Sequence, residues 1–538
     1  MEQKSPEMDQ NMSVDKEAGG GMRQLMGKQH VIVSLIAIAF SLFVIYASGF
    51  TNMQEIYRNA IFLTFLLVLI FLLYPATKRS GASKFSVIDL LFVVLSLLGT
   101  LYIVFFYTDL HVVRNSQAVF RDYLFAALTM VILLEACRRA IGLFIPLLAV
   151  LAIVYALYGP YFPGMFAHAG FSFECLMYRM YMTTEGIFGM TLSIATTYIF
   201  LFILFGAFLK ASGASALFND LALAVAGHRR GGPAQVAVLS SSLMGSLNGS
   251  AVANVATTGS FTIPMRKRIG YKPHFAGAVE AAASTGGMMM PPIMGAAAFI
   301  MAGFLGVSYT VVILAAIIPT LLYYTGLIIA IDLEAKKQGL KGISKDSLPQ
   351  IWQVLKERGV LLAPIVVVIT TLLMGKTPLY AGFAGIITTI IASWLAKGHG
   401  INFRKAIEAL IEGAKGTLQV GVACAAIGII IGVVSMTGLG SVMAYNIINI
   451  SGGILWVILL LVMITCIVLS MGLPSTALYI VVAVTAAPAL VEAGVHPVAA
   501  HFFVFWFGVL SNITPPVALA SYTAAGIAGA DAMRTGWT

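Results

Sequence analysis

The sequence predicts an all-α polytopic membrane protein built on an inverted repeat, with two re-entrant helical hairpins and two broken helices. Three observations carry this. First, only 10% of the 538 residues are charged and 59% are hydrophobic, against about 25% charged in soluble domains. Second, apolar runs of roughly bilayer-crossing length recur at 31–48, 90–106, 141–158, 192–209, 311–331 and 420–434. Third, clusters of Gly, Ser, Thr, Asn and Pro interrupt other apolar stretches at four places.

The runs are too long for barrel strands and lack period-2 alternation. A net charge of +10 would point to nucleic acid in a soluble chain. In a chain this apolar it reflects basic loops held on the cytoplasmic side, and no nucleic-acid partner is implied. Cys137, Cys175, Cys424 and Cys466 are scattered without metal-ligand spacing and read as packing residues. No GxxxxGK[ST] phosphate loop, HExxH or paired-aspartate cluster is present, which argues against an ATPase or a membrane metalloenzyme. Residues 1–30 are polar and precede the first span, so they read as a cytoplasmic tail with no nameable chemistry, followed by a retained anchor.

The basic residues set a topology. Lys78, Arg79, Lys84, Arg138, Arg139, Lys210, Arg229, Arg230, Arg266, Lys267, Arg268, Lys272, the basic loop from Lys336 to Arg358 (Lys336, Lys337, Lys341, Lys345, Lys356, Arg358), Lys397, Arg404, Lys405 and Arg534 fall inside. Arg58, Arg114, Arg121, Arg179 and Lys376 fall outside. Inside clusters flank 233–264 on both sides, so that stretch enters and leaves on one face. Its two arms of about 15 residues reach roughly 22 Å, short of the ~30 Å core. A broken span follows at 274–304. A second hairpin at 454–491 opens outward, and a second broken span covers 497–528.

The two hairpin-plus-broken-helix units share residues in order. Met244-Gly245 matches Met471-Gly472, Gly270-x-Lys272-Pro273 matches Gly494-x-His496-Pro497, and Pro291-Pro292 matches Pro515-Pro516. Opposite sidedness makes this an inverted repeat, the arrangement of secondary transporters. The interruptions are Gly245–Ser250, Gly472–Thr476, Ser284–Gly287 ahead of Pro291-Pro292, and Ser511–Thr514 ahead of Pro515-Pro516. A proline pair is expected to open each half-helix, with Thr514 as a cap. Half-helix N-termini suit a substrate carboxylate, and unwound carbonyls and hydroxyls suit a hard cation such as Na⁺. Two similar cation sites with substrate between them are therefore expected. Glu280, inside a span, is either a proton acceptor or a buried brace. His501 reads as a satisfied core histidine, Glu135 as an interfacial partner of Arg138 and Arg139, and Trp394 and Trp456 as interface anchors.

Several stretches resemble the fused membrane component of tripartite ATP-independent periplasmic (TRAP) transporters of the type served by TAXI-class binding proteins. They are Leu134–Arg139, Gly231–Ala234, Gly249–Val255, Glu280–Gly287, Met471–Pro474, Ala500–Phe502 and Thr514–Pro516. The resemblance implies an elevator, in which a transport domain slides against a scaffold. It also implies a separate periplasmic binding protein, small organic anions as solutes, and a Na⁺ or H⁺ gradient with no other cofactor. It places the protein in the inner membrane of a bacterium or archaeon, N-terminus cytoplasmic. The implied organisation is a tail (1–30), a small-subunit-like four-helix region (31–139), connecting and scaffold helices (140–230), a first transport unit (231–305), further scaffold and a cytoplasmic loop (306–440), a second transport unit (441–530) and an end (531–538) beyond which family members usually continue.

By motif position the resemblance assigns substrate contacts to Ser250, Asn254, Ser284, Thr285, Ser475, Thr476 and Thr514. It assigns ion contacts to Ser246, Asn248, Gly249, Gly286, Gly472, Pro474, Ser511 and Asn512. Two alternatives stand beside it: a dicarboxylate/cation symporter that needs no binding protein, and a non-transporting membrane enzyme or scaffold.

Overall fold

The computed structural model describes residues 22–23, 25–76, 85–228, 230–340, 342, 348–396, 398 and 400–538, with the backbone alone at Pro233, Ala237, Leu247 and Asn248. Most of the expected tail and the expected inside charges Lys78, Arg79, Lys84, Arg229, Lys341, Lys345 and Lys397 lie outside the described residues.

Among the described residues the regular elements are helical, with no strand. The principal helices are α1 (Lys28–Gly49), α2 (Glu55–Leu73), α3 (Val87–Thr108), α4 (Phe120–Ala140) and α5 (Phe144–Leu157). Then come α6 (Met190–Ala211), α7 (Ala214–Ala226), α8 (Gly232–Asn248), α9 (Ala251–Ile269), α10 (Pro273–Gly287), α11 (Gly295–Leu305) and α12 (Tyr309–Lys337). The chain continues through α13 (Ile351–Arg358), α14 (Ala363–Leu373), α15 (Pro378–Leu395), α16 (Phe403–Thr437), α17 (Leu439–Ile450) and α18 (Leu455–Ser470). It ends in α19 (Ser475–Thr485), α20 (Ala487–Glu492), α21 (Pro497–Leu510), α22 (Leu519–Ala528) and α23 (Ala532–Trp537).

Seven of the described helices are long and apolar enough to cross a membrane: α1, α2, α3 with its π-helical extension to Val113, α6, α12, α15 and α16. Five of the six apolar runs fall on these. The run at 141–158 does not, because its helix α5 has only 14 residues.

The chain divides into two compact units. One contains Met1–Phe200, Ile411–Val462 and Ala483–Gly494, and the other contains Leu201–Leu410, Met463–Val482 and Val495–Thr538.

In the first unit, α3 and α4 pack as a hairpin with charge confined to its ends. At one end Asp89, which also completes a capping box with Ser86, pairs with Arg23 at 2.6 Å and Arg139 at 2.7 Å. Glu135 in turn bonds Arg139 at 2.8 Å and Arg138 at 2.7 Å. At the other end Arg114 joins Asp109 at 2.9 Å and Asp122 at 2.6 Å. Twenty-two residues of α3 separate the ends, about 33 Å of helix, matching a ~30 Å hydrocarbon core. The tail is not without chemistry. The Arg23 amide donates to the Leu73 carbonyl at 2.8 Å and its guanidinium to the Leu72 carbonyl at 3.3 Å, which satisfies carbonyls left over at the end of α2.

In the second unit, α8 and α9 form a helical hairpin against α10. Its arms have 17 and 19 residues, longer than the expected 15, because α9 runs on through Pro264 to Ile269. Helix continuity also extends through Gly245–Asn248, so the turn is confined to Gly249-Ser250.

The second broken helix is interrupted where expected, at 511–518, whereas Ser284–Gly287 is still helical within α10 and the first interruption falls just beyond it, at 288–294. The proline pairs do not open the second halves, however. α11 starts at Gly295 and α22 at Leu519, each after a non-glycine residue with positive φ, Met294 (54°) and Ala518 (34°). Both Pro-Pro bonds are cis and lie within the turn, so the expectation drawn from proline's place at a first helical turn fails at both sites. Thr514 does not cap either, since its hydroxyl bonds back to the Leu510 carbonyl at 2.8 Å.

Candidate functional site

All four interruptions lie in the second compact unit. The tightest centres on the first hairpin tip. Gly249 takes φ +63° and closes α8, and Ser250 caps α9 by accepting from the Ala253 amide at 3.3 Å. A Cβ on Gly295 would stand 2.7 Å from the Gly249 Cα, so the tip touches the start of α11. The Ser475 hydroxyl, at the start of α19, donates to the Gly249 carbonyl at 2.5 Å. The backbone of Gly249 is thus where three of the four interruptions meet.

Below the tip, α8 and α10 approach to backbone contact. A Cβ on Gly287 would lie 2.7 Å from the Gly245 Cα. Asn254 of α9 bridges them, donating to the Ser241 carbonyl at 2.9 Å and the Ser284 hydroxyl at 3.1 Å. Deeper still, Glu280 accepts from Ser241 and Thr258 at 2.5 Å each, and from Thr262 and Arg266. Glu280 and Arg266 are both fully buried. The reading of Arg266 as a surface loop charge fails: it is the partner of Glu280. Asn254, Thr258, Thr262 and Arg266 follow one another at spacing four and form a polar stripe on α9. That signal was legible in the sequence and was missed.

The unwound carbonyls after α10 are largely taken. Tyr309 donates to the Pro292 and Ile293 carbonyls at 3.0 and 2.6 Å, and Thr320 to the Met289 carbonyl at 2.8 Å. Tyr323 and Tyr324 reach the Ala282 and Ala283 carbonyls at 2.9 and 3.0 Å. One face of α12 thereby supplies the donors that a broken helix in an apolar setting requires. The second broken helix repeats the device, with Tyr522 donating to the Pro516 carbonyl at 2.5 Å. It also repeats the turn bond: Met294 N–H to Met290 carbonyl corresponds to Ala518 N–H to Thr514 carbonyl, both 3.3 Å.

The remaining sequence candidates divide by what they touch. The Ser246 hydroxyl bonds the Leu243 carbonyl within its own helix at 2.8 Å. Gly286 faces the Tyr323 ring. Gly472 makes the second hairpin turn at φ +77°, and the Pro474 carbonyl accepts the first bond of α19, from Leu478 at 2.9 Å. Ser511 donates to the Ser470 carbonyl at 3.1 Å. Asn512 donates to the Val509 carbonyl at 3.1 Å, and its own carbonyl accepts from Ala520 at 3.0 Å. The Asn248 side chain lies outside the described residues. Thr285 and Thr476 differ from the rest: their hydroxyls are buried and have no hydrogen-bond partner, and the same holds for Ser470, which sequence reasoning did not single out. His501 is satisfied by the Tyr479 hydroxyl at 2.8 Å.

Interrupted helices with small polar turns, embedded in an apolar helical protein, define the architecture of an ion- or solute-translocating permease. Residues 128–538 match the family model described as tripartite ATP-independent periplasmic transporter, DctM component, and the chain belongs to that family. It is 30% identical over 328 residues to a TRAP transporter large permease protein of Haemophilus influenzae, covering 59% of this chain and 74% of that protein. It is 27% identical over 333 residues to the sialic acid TRAP transporter large permease protein SiaM of Vibrio cholerae, covering 60% and 74%. With the 2,3-diketo-L-gulonate TRAP transporter large permease protein YiaN of Escherichia coli it shares 31% identity over 152 residues, 28% of this chain and 35% of that one. The chain is accordingly a multi-pass inner-membrane permease of the TRAP large-subunit family, and its relatives are transporters rather than enzymes.

Proposed function

We propose that this chain imports small organic anions, carboxylates above all, handed to it by a periplasmic binding protein of the TAXI type and driven by an ion gradient, Na⁺ in the first instance. The observation that carries the reading is the meeting of three interruptions at Gly249, with the orphaned hydroxyls of Thr285 and Thr476 in the same compact unit. Buried hydroxyls without partners are costly unless a ligand uses them.

On this reading the hydroxyls and the carbonyls left at the turns serve the cation, and the N-terminal amides of α11, α19 and α22 serve the carboxylate. Glu280 acts as a brace, which its bonds to Arg266, Ser241, Thr258 and Thr262 support. Residues 231–305 and 441–530 move together as an elevator past scaffold segments 140–230 and 306–440. Residues 31–139, which lie mostly ahead of the matched family region, serve as the small subunit fused in the same chain, with the N-terminus cytoplasmic.

Uptake into proteoliposomes tests this, with and without a TAXI-type binding protein and under imposed Na⁺ or pH gradients. The expected result is accumulation of a carboxylate only with binding protein and inward Na⁺. Accumulation without binding protein would replace the tripartite reading with that of a free-standing symporter. Response to pH alone would move the coupling ion to H⁺.

A further inference from the structure

We propose that α13, together with the end of α15, forms a platform in the cytoplasmic headgroup layer that binds anionic phospholipid. Three observations support it. The first is how α13 is mounted. Val354 is buried in a cluster with Leu217 of α7, Leu361, and Ala392 and Ala396 at the end of α15. Arg358 fixes the same helix to α7 through Asp220 at 3.0 Å. One face of α13 is therefore held by protein, and its orientation is set.

The second observation is what the other face carries. Trp352 is 81% exposed, and Lys356, four residues on, shares its face and is exposed as well. At the end of α15, next to Ala396 of that cluster, Trp394 is 66% and Leu395 69% exposed, and Phe403 at the start of α16 is 83% exposed. The Trp394 indole N–H is held by the Ile401 carbonyl at 3.0 Å, so its polar edge is satisfied and its ring is presented outward. Exposed indoles on α13 and at the end of the apolar span α15 are the signature of the headgroup layer, where amphipathic rings are stable. Water alone would leave them unfavourably hydrated.

The third observation is charge. The described residues of 336–358 and 394–405 include six Lys or Arg and one acidic residue, Glu357; Lys337, Arg358 and Arg404 face Glu334, Asp220 and Glu408, so Lys336, Lys356 and Lys405 carry the basic excess. Basic residues at a membrane surface concentrate anionic lipid, whereas a zwitterionic headgroup gains little. Exposed rings select a lipid layer over nucleic acid or a soluble acidic partner, and the basic excess selects its anionic members.

The test uses the full chain with Trp394, Trp456, Trp506 and Trp537 replaced by Phe, leaving Trp352 as the only indole. The protein is reconstituted in phosphatidylcholine vesicles containing a minor fraction of brominated phosphatidylglycerol, or the same fraction of brominated phosphatidylcholine. Quenching of Trp352 is expected to be stronger with the brominated anionic lipid. Lys356→Gln is expected to lower that lipid's local enrichment about fivefold. Inorganic phosphate at matched ionic strength is expected to change nothing. Equal quenching by both lipids, quenching by neither, or loss of the difference on adding phosphate would overturn the proposal. If the four replacements impair folding, the unaltered chain serves instead. After purification from mixed lipid it should retain phosphatidylglycerol over phosphatidylcholine, and Lys356→Gln should diminish that excess. An unchanged ratio would overturn it equally.

Discussion

Arg266 of α9 and Glu280 of α10 form an ion pair with both side chains fully buried. Removing one member of such a pair leaves an uncompensated charge, at a cost of about 3–5 kcal/mol. Glu280→Ala is therefore expected to lower the thermal unfolding midpoint in detergent sharply. The double variant Arg266→Met/Glu280→Leu is expected to recover part of the loss, because matched apolar residues leave no charge behind. A double variant no more stable than either single one would show that the pair is not the source of the effect. Glu280→Gln separates brace from proton acceptor. In either role Gln leaves Arg266 without its carboxylate and costs stability, so the readout is the pH profile of uptake: a brace loses transport without changing its dependence on pH, whereas an acceptor loses the response to pH.

The contact between Gly245 and Gly287 predicts a second result. A Cβ at Gly287 would fall 2.7 Å from the Gly245 Cα and 3.0 Å from the Ser241 carbonyl, and these are backbone atoms that cannot swing aside. Gly287→Ala is expected to destabilise by about 1–3 kcal/mol. Gly326→Ala is the control, since its Cβ meets nothing within 4 Å in the middle of α12. There alanine should be neutral or stabilising by up to ~1 kcal/mol. Equal unfolding temperatures for the two variants would contradict the close approach of α8 and α10.

The places where sequence and structure part company have a common physical origin. Spans were legible because bilayer thickness imposes a length on apolar runs, and helix breaks were legible because Gly, Pro and small polar residues are costly inside helices unless a break needs them. What the sequence hid were partnerships across elements. Arg266 was grouped with its neighbours Lys267 and Arg268, although its stripe with Asn254, Thr258 and Thr262 marks a buried face. Tyr309, Thr320, Tyr323 and Tyr324 look like ordinary span residues in sequence, because the carbonyls they satisfy lie 16 to 41 residues away and come within reach only on folding. The start of α11 was misplaced because the preference of proline for a first helical turn was applied without regard to the turn that the second proline itself occupies.

The Asp89 cluster predicts that the chain ahead of α1 contributes to stability. Arg23 reaches Asp89 at 2.6 Å in a site where both side chains are fully buried. Arg23→Ala is expected to cost less than Asp89→Ala, because Asp89 retains Arg139 at 2.7 Å, whereas Asp89→Ala removes the buried carboxylate that Arg23 and Arg139 share and leaves Glu135, at 2.8 Å from Arg139, as the carboxylate of that cluster. Thermal unfolding of the full-length variants reads the order directly. A reversed order would mean that Arg23 acts through the α2 carbonyls of Leu72 and Leu73 more than through the carboxylate.

The orphaned hydroxyls give the most direct test of the site. Thr285 and Thr476 are fully buried, and neither hydroxyl has a hydrogen-bond partner. For a hydroxyl that only packs, Thr→Val removes an unsatisfied polar atom and keeps the shape. Stability should then hold or rise by roughly 1 kcal/mol. If the hydroxyls serve the coupling ion, the same substitution removes a ligand. Thr285→Val and Thr476→Val are therefore expected to keep the unfolding temperature while raising the Na⁺ concentration for half-maximal uptake about tenfold, the equivalent of one hydrogen-bond-sized interaction of ~1.4 kcal/mol. Thr370→Val in α14 is the comparison, because it lies outside the four interruptions and its exposed hydroxyl bonds the Val366 carbonyl of its own helix at 2.8 Å. It should leave the Na⁺ dependence unchanged. Valine variants that are as stable as the parent and equally responsive to Na⁺ would remove both threonines from the ion site.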